Sequence, residues 1–564
     1  MDPGRTAYSD VVNSPERALR LLTALVAAGV RDVVLAPGSR SAPLALPLYA
    51  ADAAGDLRLH VRVDERTAGF LALGLSVGSR RPVVVVTTSG TAVGNLLPAV
   101  MEAHHSGRQV VVVSADRPEA LRGTGANQTT EQSAIFGHFA PCVDLAVDAS
   151  PDDIAAAATA AASRMGPSQL NLQLEPPLLP RGSDHDPAPW WPSGAAQDEE
   201  RPPRGRGARE NGPVIDRGPR TVVVAGDDAG SAARVLAERG GWPLFAEPTS
   251  GARVGSNALR TYRLLLADRS AGSLLSQVER VVVLGHPTLS RPVTDLLSRA
   301  DLEVLAAPGP GGVVTDPARV ARHLSGVPQV ADDDGPSAAD LAWLQDWLDA
   351  DRLVSGRLDT WLDQRHRLDP LHVAREVAAA VTAHATLVVG SSNPVRDLDL
   401  MMPAYPRHEH RFVVGNRGLA GIDGMVSTAV GVALGRPHAS RSVALVGDVT
   451  FLHDSTALML GPDEPRPDLT LVVVNDDGGS IFSTLEQGAP DYAPAFERVF
   501  GTPHGVDVEA LCRASNTAYR QVTSVPDLRR ELAEPVRGIR VLEARVSRAD
   551  RRADAAAIAS LVKD

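Results

Sequence analysis

The chain has 564 residues, of which 44% are hydrophobic and 22% charged, and its formal net charge is −12. This length predicts several domains of about 150 residues each, and the acidic balance argues against nucleic acid as a partner. No run approaches the roughly 18 apolar residues that a membrane span needs. The first residues lack a signal-peptide pattern, and the two cysteines, Cys142 and Cys512, indicate no disulfide framework, so we expect a cytoplasmic protein.

Strand-like and helix-like segments alternate over the first 180 residues. Short runs of strand-forming residues occur at 31–37, 57–63, 81–88 and 109–114. Helical stretches, including 65–79 and 91–105, separate them. This alternation predicts a parallel sheet with helices on both faces. We therefore expect an α/β domain over 1–182.

Two breaks divide the rest of the chain. Residues 183–219 are dominated by proline, glycine and charge, which predicts a flexible linker, and residues 326–340 predict a second, shorter one. Between them, residues 220–325 predict a central α/β domain. Its segment VVVAGDDAGS lacks the G-x-G-x-x-G spacing that a dinucleotide site requires.

The last segment, 341–564, predicts a third α/β domain. Its predicted strands lie at 386–390, 411–415, 442–447 and 469–475. It is similar to the first domain in size and alternation, which indicates two paired domains around a central one. The predicted fold class is therefore α/β, with three doubly wound parallel-sheet domains.

Acidic and amide residues follow two strands of the third domain. Gly447 and Asp448 end one strand, and Asn475, Asp476 and Gly478 end the next. Open α/β sheets bind ligands at the carboxyl ends of their strands, and Mg²⁺ prefers carboxylates together with phosphate oxygens. We expect metal ligands at Asp448, Asp476 and the carbonyl of Gly478, with Gly447 allowing close approach of a diphosphate. Solvated acidic strand ends are the alternative.

This arrangement resembles the thiamine-diphosphate motif, in which Gly-Asp-Gly and Asn-Asn end two such strands. Val449 stands in place of the third-position glycine, and Asp476 stands in place of the second asparagine and keeps an oxygen ligand. The resemblance implies thiamine diphosphate as the cofactor, with Mg²⁺ or Mn²⁺. It also implies that the three domains are of the type found in thiamine-diphosphate enzymes.

Thiamine chemistry needs a carboxylate that hydrogen-bonds N1′ of the pyrimidine, so that the 4′-amino group can remove the C2 proton. Glu65 lies where a predicted strand turns into a helix rich in alanine and glycine. We expect this glutamate to be buried and catalytic, with the small residues of TTSGTAVGN (87–95) nearby. The alternative is that Asp64 and Glu65 only complement the N-terminus of the helix.

Seven segments resemble a more specific family, the 2-succinyl-5-enolpyruvyl-6-hydroxy-3-cyclohexene-1-carboxylate synthases of menaquinone biosynthesis. They are LAPGSRSAPL (35–44), VDERTAGFLALG (63–74), TTSGTA (87–92), SADRPEALRGTGANQT (114–129), GNRGLAGIDGMVSTAVGVALG (415–435), VGDVTFLHD (446–454) and VNDDGGSIF (474–482). Together they span nearly the whole chain outside the linkers. The motifs PGSRSAP, ADRP with GANQ, and NRGxxGIDG are far more specific than the generic cofactor motif.

The resemblance implies a transferase that decarboxylates 2-oxoglutarate at the cofactor ylide and adds the succinyl carbanion to isochorismate in a 1,4-addition. Both substrates carry carboxylates, so the site must be cationic although the chain is acidic. Basic residues are almost all arginine, and Lys563 is the single lysine. Arginine suits this task because its guanidinium binds carboxylates through two parallel hydrogen bonds.

Site residues follow from the family position by position. The implied substrate-binding residues are Ser39, Arg40, Arg117, Gln128, Arg291, Ser392, Arg396 and Arg417. The implied cofactor contacts are Glu65, Gly447, Asp448, Ile422, Ile481 and Phe482. Pro292 falls where the family commonly has a second basic residue, which leaves that contact open. For each arginine alone, a surface salt bridge is the alternative, and we expect no catalytic role for His104, His105 or His286.

Two other functions stay open. One is another thiamine-diphosphate enzyme, such as a simple 2-oxo acid decarboxylase or an acetolactate-type synthase, and the other is a non-catalytic α/β binding protein. The arginine set argues against the first, and the joint presence of Glu65, Asp448 and Asp476 argues against the second. The family places the cofactor between the first and third domains of different subunits, so we expect a homodimer or a dimer of dimers.

Overall fold

The computed structural model describes residues 13–179, 190–192, 211–270, 272–331 and 335–563. The chain forms two compact units, one of Met1–Gly205 with Leu460–Pro465 and one of Arg206–Met459 with Arg466–Asp564. Most of the expected linker at 183–219 lies outside the described residues. Over the described ranges, no helix combines the length and the apolar character needed to cross a membrane.

A six-stranded parallel sheet forms the core of the first unit. Its strands are β1 Asp32–Leu35, β2 Arg58–Val61, β3 Val83–Thr87, β4 Val110–Asp116, β5 Cys142–Leu145 and β6 Ser168–Gln173. Its helices are α1 Ser14–Ala27, α2 Ala42–Ala53, α3 Glu65–Ser79, α4 Thr91–Gly94, α5 Leu97–His105 and α6 Pro151–Ser163. The strand order is β2-β1-β3-β4-β6-β5, so the direction of winding reverses between β1 and β3. Valine-rich runs form these strands because a parallel sheet is buried on both faces.

The second unit begins with a smaller parallel sheet. The strands in this part of the chain are β7 Asn211–Ile215, β8 Thr221–Ala225, β9 Leu244–Ala246, β10 Arg280–Leu284, β11 Glu303–Ala306, β12 Arg322–His323 and β13 Val327–Val330. The helices are α7 Ser231–Gly240, α8 Tyr262–Leu265 and α9 Arg291–Leu297. Five of the strands form the central sheet, in the order β12-β11-β10-β8-β9.

The two expected linkers contain a feature that the sequence did not indicate. Strand β7 from the range 183–219 pairs in parallel with β13 from the range 326–340. Gly212 allows the close approach, since a Cβ there would lie 2.4 Å from the carbonyl oxygen of Gly326. The glycine and proline of β7 concealed this short strand, because such residues are typical of loops and are tolerated in strands mainly at edges.

A third parallel sheet completes the second unit. Its strands are β14 Thr386–Val389, β15 Phe412–Val414, β16 Ser442–Gly447, β17 Leu469–Asn475, β18 Ala518–Val522 and β19 Ile539–Arg545. The helices that follow β13 are α10 Ala338–Asp363, α11 Pro370–Ala380, α12 Asn393–Met401, α13 Met425–Gly435, α14 Asp448–His453, α15 Ala493–Phe496, α16 Val508–Ala514, α17 Val525–Ala533 and α18 Arg551–Ser560. The order β15-β14-β16-β17-β19-β18 repeats that of the first sheet, as the likeness of the two segments suggested.

Helix α10 packs on the central sheet although we expected the third domain to begin near its start, at residue 341. Trp343 and Trp347 are buried in one apolar cluster with residues of β8 and β10. The ring of Trp347 lies 5.0 Å from that of Phe245, which belongs to β9. The domain boundaries at 182, 219, 325 and 340 stay a prediction.

The buried arginine Arg17 closes one end of the first unit. Its guanidinium donates hydrogen bonds to four backbone carbonyl oxygens, those of Leu145 (3.1 Å), Ala146 (2.6 Å), Val147 (2.8 Å) and Ala149 (3.3 Å). The residue is only 2% exposed. One cation on α1 therefore satisfies the loop that connects β5 to α6, where backbone carbonyls would otherwise be buried without partners.

Arg17→Met should destabilise the first unit, because it leaves these carbonyls buried and unpaired. We expect a loss of about 3 kcal/mol and a fall of roughly 6–12 °C in the unfolding midpoint of this unit, measured by calorimetry. Arg20→Met on the same helix is the control, since Arg20 is exposed and its ion pair with Glu16 is 4.0 Å long. A midpoint that both variants lower equally would contradict this role for Arg17.

Candidate active site

The third sheet carries a cavity of about 150 Å³ at its carboxyl edge. It opens where the winding reverses between β14 and β16, which is where open α/β sheets bind ligands. Eight residues that the sequence indicated line this one cavity: Ser392, Ile422, Gly447, Asp448, Asp476, Gly478, Ile481 and Phe482. The structure thus brings the expected metal ligands together with the expected cofactor contacts of this unit.

The two carboxylates differ in how their charge is balanced. Asp448 is buried, and its Oδ2 accepts a hydrogen bond from the backbone N–H of Gly478 (2.8 Å) and lies 3.1 Å from Nε2 of His504. The Oδ1 atom of Asp476 is buried and has no hydrogen-bond partner among the described residues. Burial, and next the charge of Asp448, raise the pKa of Asp476 to about 7. Two carboxylates of this kind are stabilised by a cation between them.

This donor set fits a magnesium ion that also binds phosphate oxygens. Such an ion takes one or two carboxylates from the protein and leaves other positions to diphosphate and water. Asp448 and Asp476 offer carboxylates, and the unpartnered Oδ1 of Asp476 is the atom that a cation would satisfy. Within the described part of the chain, no group of three or more His, Cys, Asp or Glu side chains forms a metal cage.

Gly478 has a backbone conformation that other residues cannot adopt here. Its φ angle is +140°, and a Cβ at this position would lie 1.9 Å from the carbonyl oxygen of Gly501. The same residue donates its N–H to Asp448. The loop after β17 can therefore turn beneath Asp448 only because residue 478 is glycine.

Sequence reasoning missed three residues that hold this edge together. His504 contacts Asp448, and the Oδ1 atom of Asp477 accepts hydrogen bonds from the backbone N–H of His504 (3.1 Å) and of Gly505 (2.9 Å). The buried carboxylate of Glu543 accepts a 2.5 Å hydrogen bond from Asn475. The acidic run after β17 gave a signal for Asp477, whereas His504 and Glu543 reach the site only through the tertiary fold.

Two of the arginines expected in the second unit, Arg396 and Arg417, are withdrawn from solvent and act on each other electrostatically. Burial lowers the pKa of Arg396 to about 10, and the charges of Arg417 and then Arg263 add to this effect. We refer to Arg396 and Arg417 as the arginine cluster. Arg417 is buried and donates to Ser391 Oγ (3.3 Å) and to Thr288 Oγ1 (2.8 Å). Arg396 donates to the carbonyl of Ser392 at 2.7 Å.

The remaining basic residues singled out in the sequence lie at helix ends or in loops. Arg291 is the exposed first residue of α9, and Pro292 follows it in the first turn. His286 lies in the loop after β10 and pairs through its backbone with Asp227, as we expected of a loop residue. In the first unit, His104 and His105 end helix α5.

In the first unit, the expected polar residues meet at the carboxyl edge of the sheet, where the winding reverses. Arg117 donates to Ser89 Oγ and to the carbonyl of Gln128, both at 2.8 Å. Arg40 donates to the carbonyl of Leu174 at 3.0 Å, and burial and the charge of Arg117 lower its pKa. Ser39 is exposed beside Arg40, and Gln128 is exposed with a φ of +56°.

Glu65 lies at the N-terminus of helix α3, directly after the N-cap Asp64. The strand end that leads to it is held by Glu464, whose Oε2 accepts hydrogen bonds from the backbone N–H of Val61 and from Arg62, both at 2.9 Å. Glu65 is half-buried, whereas we expected a buried side chain. Val63 beside it is 76% exposed, so this turn presents an uncovered apolar surface in the single chain.

Comparison with known proteins agrees with this geometry. Residues 18–135 match the family described as thiamine pyrophosphate enzyme, N-terminal TPP binding domain. The 2-succinyl-5-enolpyruvyl-6-hydroxy-3-cyclohexene-1-carboxylate synthase of Nocardioides sp. is 54% identical, over 95% of each chain. The synthase of the same name from Paenarthrobacter aurescens is 45% identical, over 96% of each chain.

The chain belongs to this synthase family. Its fold is also that of a benzoylformate decarboxylase from Polynucleobacter necessarius, with a TM-score of 0.64 over 95% of this chain and 99% of the other at 17% identity. The resemblance that the sequence motifs indicated is thus confirmed, as is the multidomain α/β fold. The protein is therefore an enzyme that uses thiamine diphosphate. The roles of its individual site residues stay predictions.

Gly478→Ala should weaken binding of thiamine diphosphate with Mg²⁺ by roughly 10–100-fold, a loss typical of disturbed support for a metal site. The added Cβ must displace the loop from Gly501. The backbone N–H of residue 478, which donates a hydrogen bond to Asp448, would move with the loop. Calorimetric titration with the cofactor and Mg²⁺ measures the effect. Gly461→Ala is the control, because a Cβ there meets nothing closer than 3.6 Å. Unchanged affinity in Gly478→Ala would show that this loop does not shape the cofactor site.

Proposed function

We propose that the chain decarboxylates 2-oxoglutarate and adds the succinyl unit to isochorismate in a 1,4-addition, giving 2-succinyl-5-enolpyruvyl-6-hydroxy-3-cyclohexene-1-carboxylate in menaquinone biosynthesis. Family membership supports this reaction. The observation that carries it is the largely buried guanidinium cluster of Arg396 and Arg417, in the unit that also contains the cofactor cavity. Acidic substrates need such a cluster because each buried charge-assisted hydrogen bond contributes roughly 1.5–3 kcal/mol.

Thiamine diphosphate, when bound, would supply a nucleophilic carbon for a 2-oxo carbonyl and an electron sink for decarboxylation. Asp448, Asp476 and the carbonyl of Gly478 would hold Mg²⁺ or Mn²⁺ against its diphosphate. Gly447 lines the same cavity and leaves open space beside its backbone, since a Cβ added there would meet no atom closer than 3.9 Å. The apolar side chains of Ile422, Ile481 and Phe482 would exclude water from the reacting atoms.

The chain's own polar residues would then bind, orient and move a proton. Glu65 would accept a hydrogen bond at N1′ of the pyrimidine, which favours proton removal by the 4′-amino group. Arg396 and Arg417 would hold substrate carboxylates, with Ser392 in the lining of the cavity. In the first unit, Arg40 and Arg117 form a second cationic pair for acidic groups, beside Ser39 and Gln128. Arg291, exposed at the start of α9, would reach substrate only from the surface.

The decisive experiment supplies 2-oxoglutarate, thiamine diphosphate and Mg²⁺ with and without isochorismate. We expect CO2 release that depends on both substrates, and a product whose mass equals their sum minus CO2. Equal CO2 release without isochorismate would identify a simple 2-oxo acid decarboxylase instead. Turnover of pyruvate in preference to 2-oxoglutarate would favour an acetolactate-type synthase, because pyruvate lacks the second carboxylate that the arginines would bind.

We also propose that the enzyme is a homodimer, alone or in a dimer of dimers, and that it acts in the cytoplasm. The half-buried Glu65 and the 76% exposed Val63 support the dimer, since a partner subunit would cover this turn and exclude water from the carboxylate. Cys142 and Cys512 are both free, which fits a reducing compartment.

Hybrid dimers test whether two subunits share each site. Glu65→Gln should lower the rate roughly 10²–10⁴-fold through loss of a catalytic acid–base group, and Asp448→Ala should be nearly inactive because it removes a metal ligand. If Glu65 and Asp448 of different subunits form one site, a randomly assembled mixture should recover about one quarter of wild-type activity, because half of the dimers then hold one intact site of two. A mixture without recovered activity, despite exchange of subunits, would place both residues of a site in the same chain.

A further inference from the structure

A buried glutamate that no part of the proposed mechanism uses interacts electrostatically with Arg417. Glu247 follows β9 at the carboxyl edge of the central sheet and is 2% exposed. Its Oε1 accepts hydrogen bonds from two backbone N–H groups, those of Thr288 (3.0 Å) and Leu289 (2.9 Å). Burial raises the pKa of Glu247 to about 7, and the charge of Arg417 opposes that rise.

These contacts link the glutamate to an expected substrate-binding residue. Thr288 accepts a 2.8 Å hydrogen bond from Nη2 of Arg417 through its own hydroxyl. The Leu289 side chain is buried in the apolar core of the third sheet. A path of contacts therefore runs from the Glu247 carboxylate through the backbone of the loop to the guanidinium of Arg417.

The loop that Glu247 binds is also fixed on its other side. Asp227 and His286 exchange backbone hydrogen bonds of 3.1 and 2.9 Å. Gly226 permits this contact, because a Cβ there would lie 1.9 Å from the Pro287 nitrogen. Thr288 and Leu289 follow Pro287 directly, and their backbone N–H groups donate hydrogen bonds to Glu247. Removal of the carboxylate would leave two buried donors unpaired.

We propose that Glu247 is a positioning residue that aims Arg417 at a substrate carboxylate by holding the loop of Thr288 and Leu289. The proposal rests on the proposed function for the identity of the substrate, but the hold on the loop does not depend on it. Its essential interaction is hydrogen-bond acceptance by Oε1. A neutral acceptor of the same shape therefore suffices, and the negative charge of Glu247 is dispensable.

Three variants separate this role from a general structural one. Glu247→Gln keeps an oxygen that can accept from both N–H groups, and Glu247→Ala removes it. Thr288→Val leaves the loop held but removes the acceptor for Arg417. Glu303→Ala is the control, since Glu303 lies on β11 of the same sheet with 41% of its side chain exposed.

Two measurements on the full-length protein test whether Glu247 fixes the loop of Thr288 and Leu289, and neither requires turnover. We expect faster deuterium exchange across residues 286–290 in Glu247→Ala, and exchange as in wild type for Glu247→Gln and Thr288→Val. Modification of Arg417 by phenylglyoxal, read by mass spectrometry, should speed up in Glu247→Ala and Thr288→Val only. Wild-type exchange and modification in Glu247→Ala would overturn the proposal, as would Glu247→Gln behaving like Glu247→Ala.

Kinetics of the holoenzyme then test the consequence. The KM for 2-oxoglutarate or for isochorismate should rise roughly 10- to 100-fold in Glu247→Ala and in Thr288→Val, the loss expected for one misdirected charge-assisted hydrogen bond. The kcat should change far less, and Glu247→Gln should stay within about threefold of wild type on both constants. A fall in kcat with both KM values unchanged would overturn the positioning role. Wild-type protein that turns over neither substrate would instead refute the proposed function, while exchange and modification still decide the role of Glu247.

Discussion

The parallel register of two adjacent strands places the two carboxylates on which the proposed cofactor site depends. Strands β16 and β17 pair so that Gly447 lies opposite Val474, and Asp448 and Asp476 therefore emerge at one edge of the sheet. A shift in the pairing of β16 with β17 would therefore change the position of Asp448 relative to Asp476. One carboxylate oxygen of this pair, Oδ1 of Asp476, has no hydrogen-bond partner among the described residues, and the proposed cation would satisfy it.

Local signals explain what the sequence could predict. Valine-rich runs and the polar residues that end them predicted the parallel sheets, Asp448 and Asp476, since strand ends and their side chains follow from the chain itself. His504, Glu543 and Glu247 could not be found in this way, because each reaches its contact through tertiary structure. The pairing of β7 with β13 and the packing of α10 on the central sheet were missed for the same reason.

Charge is distributed unevenly between the surface and the interior. The chain carries a net charge of −12, yet Arg396 and Arg417 are largely withdrawn from solvent and close enough for one to lower the pKa of the other. Two guanidinium groups in such a place repel each other, and a carboxylate bound between them would offset that repulsion. An incoming dianion would relieve this repulsion, which agrees with the proposed preference for acidic substrates over neutral ones.

Arg396 and Arg417 are arginines and not lysines, and this difference has a further chemical consequence. Lysine amines condense with the carbonyl of 2-oxo acids to form Schiff bases, whereas guanidinium stays protonated and does not act as a nucleophile. Lys563, near the end of the chain, is the only amine-bearing side chain in the sequence. If Arg396 and Arg417 hold the 2-oxo acid as proposed, its carbonyl carbon would meet no lysine amine and would stay available for the intended attack.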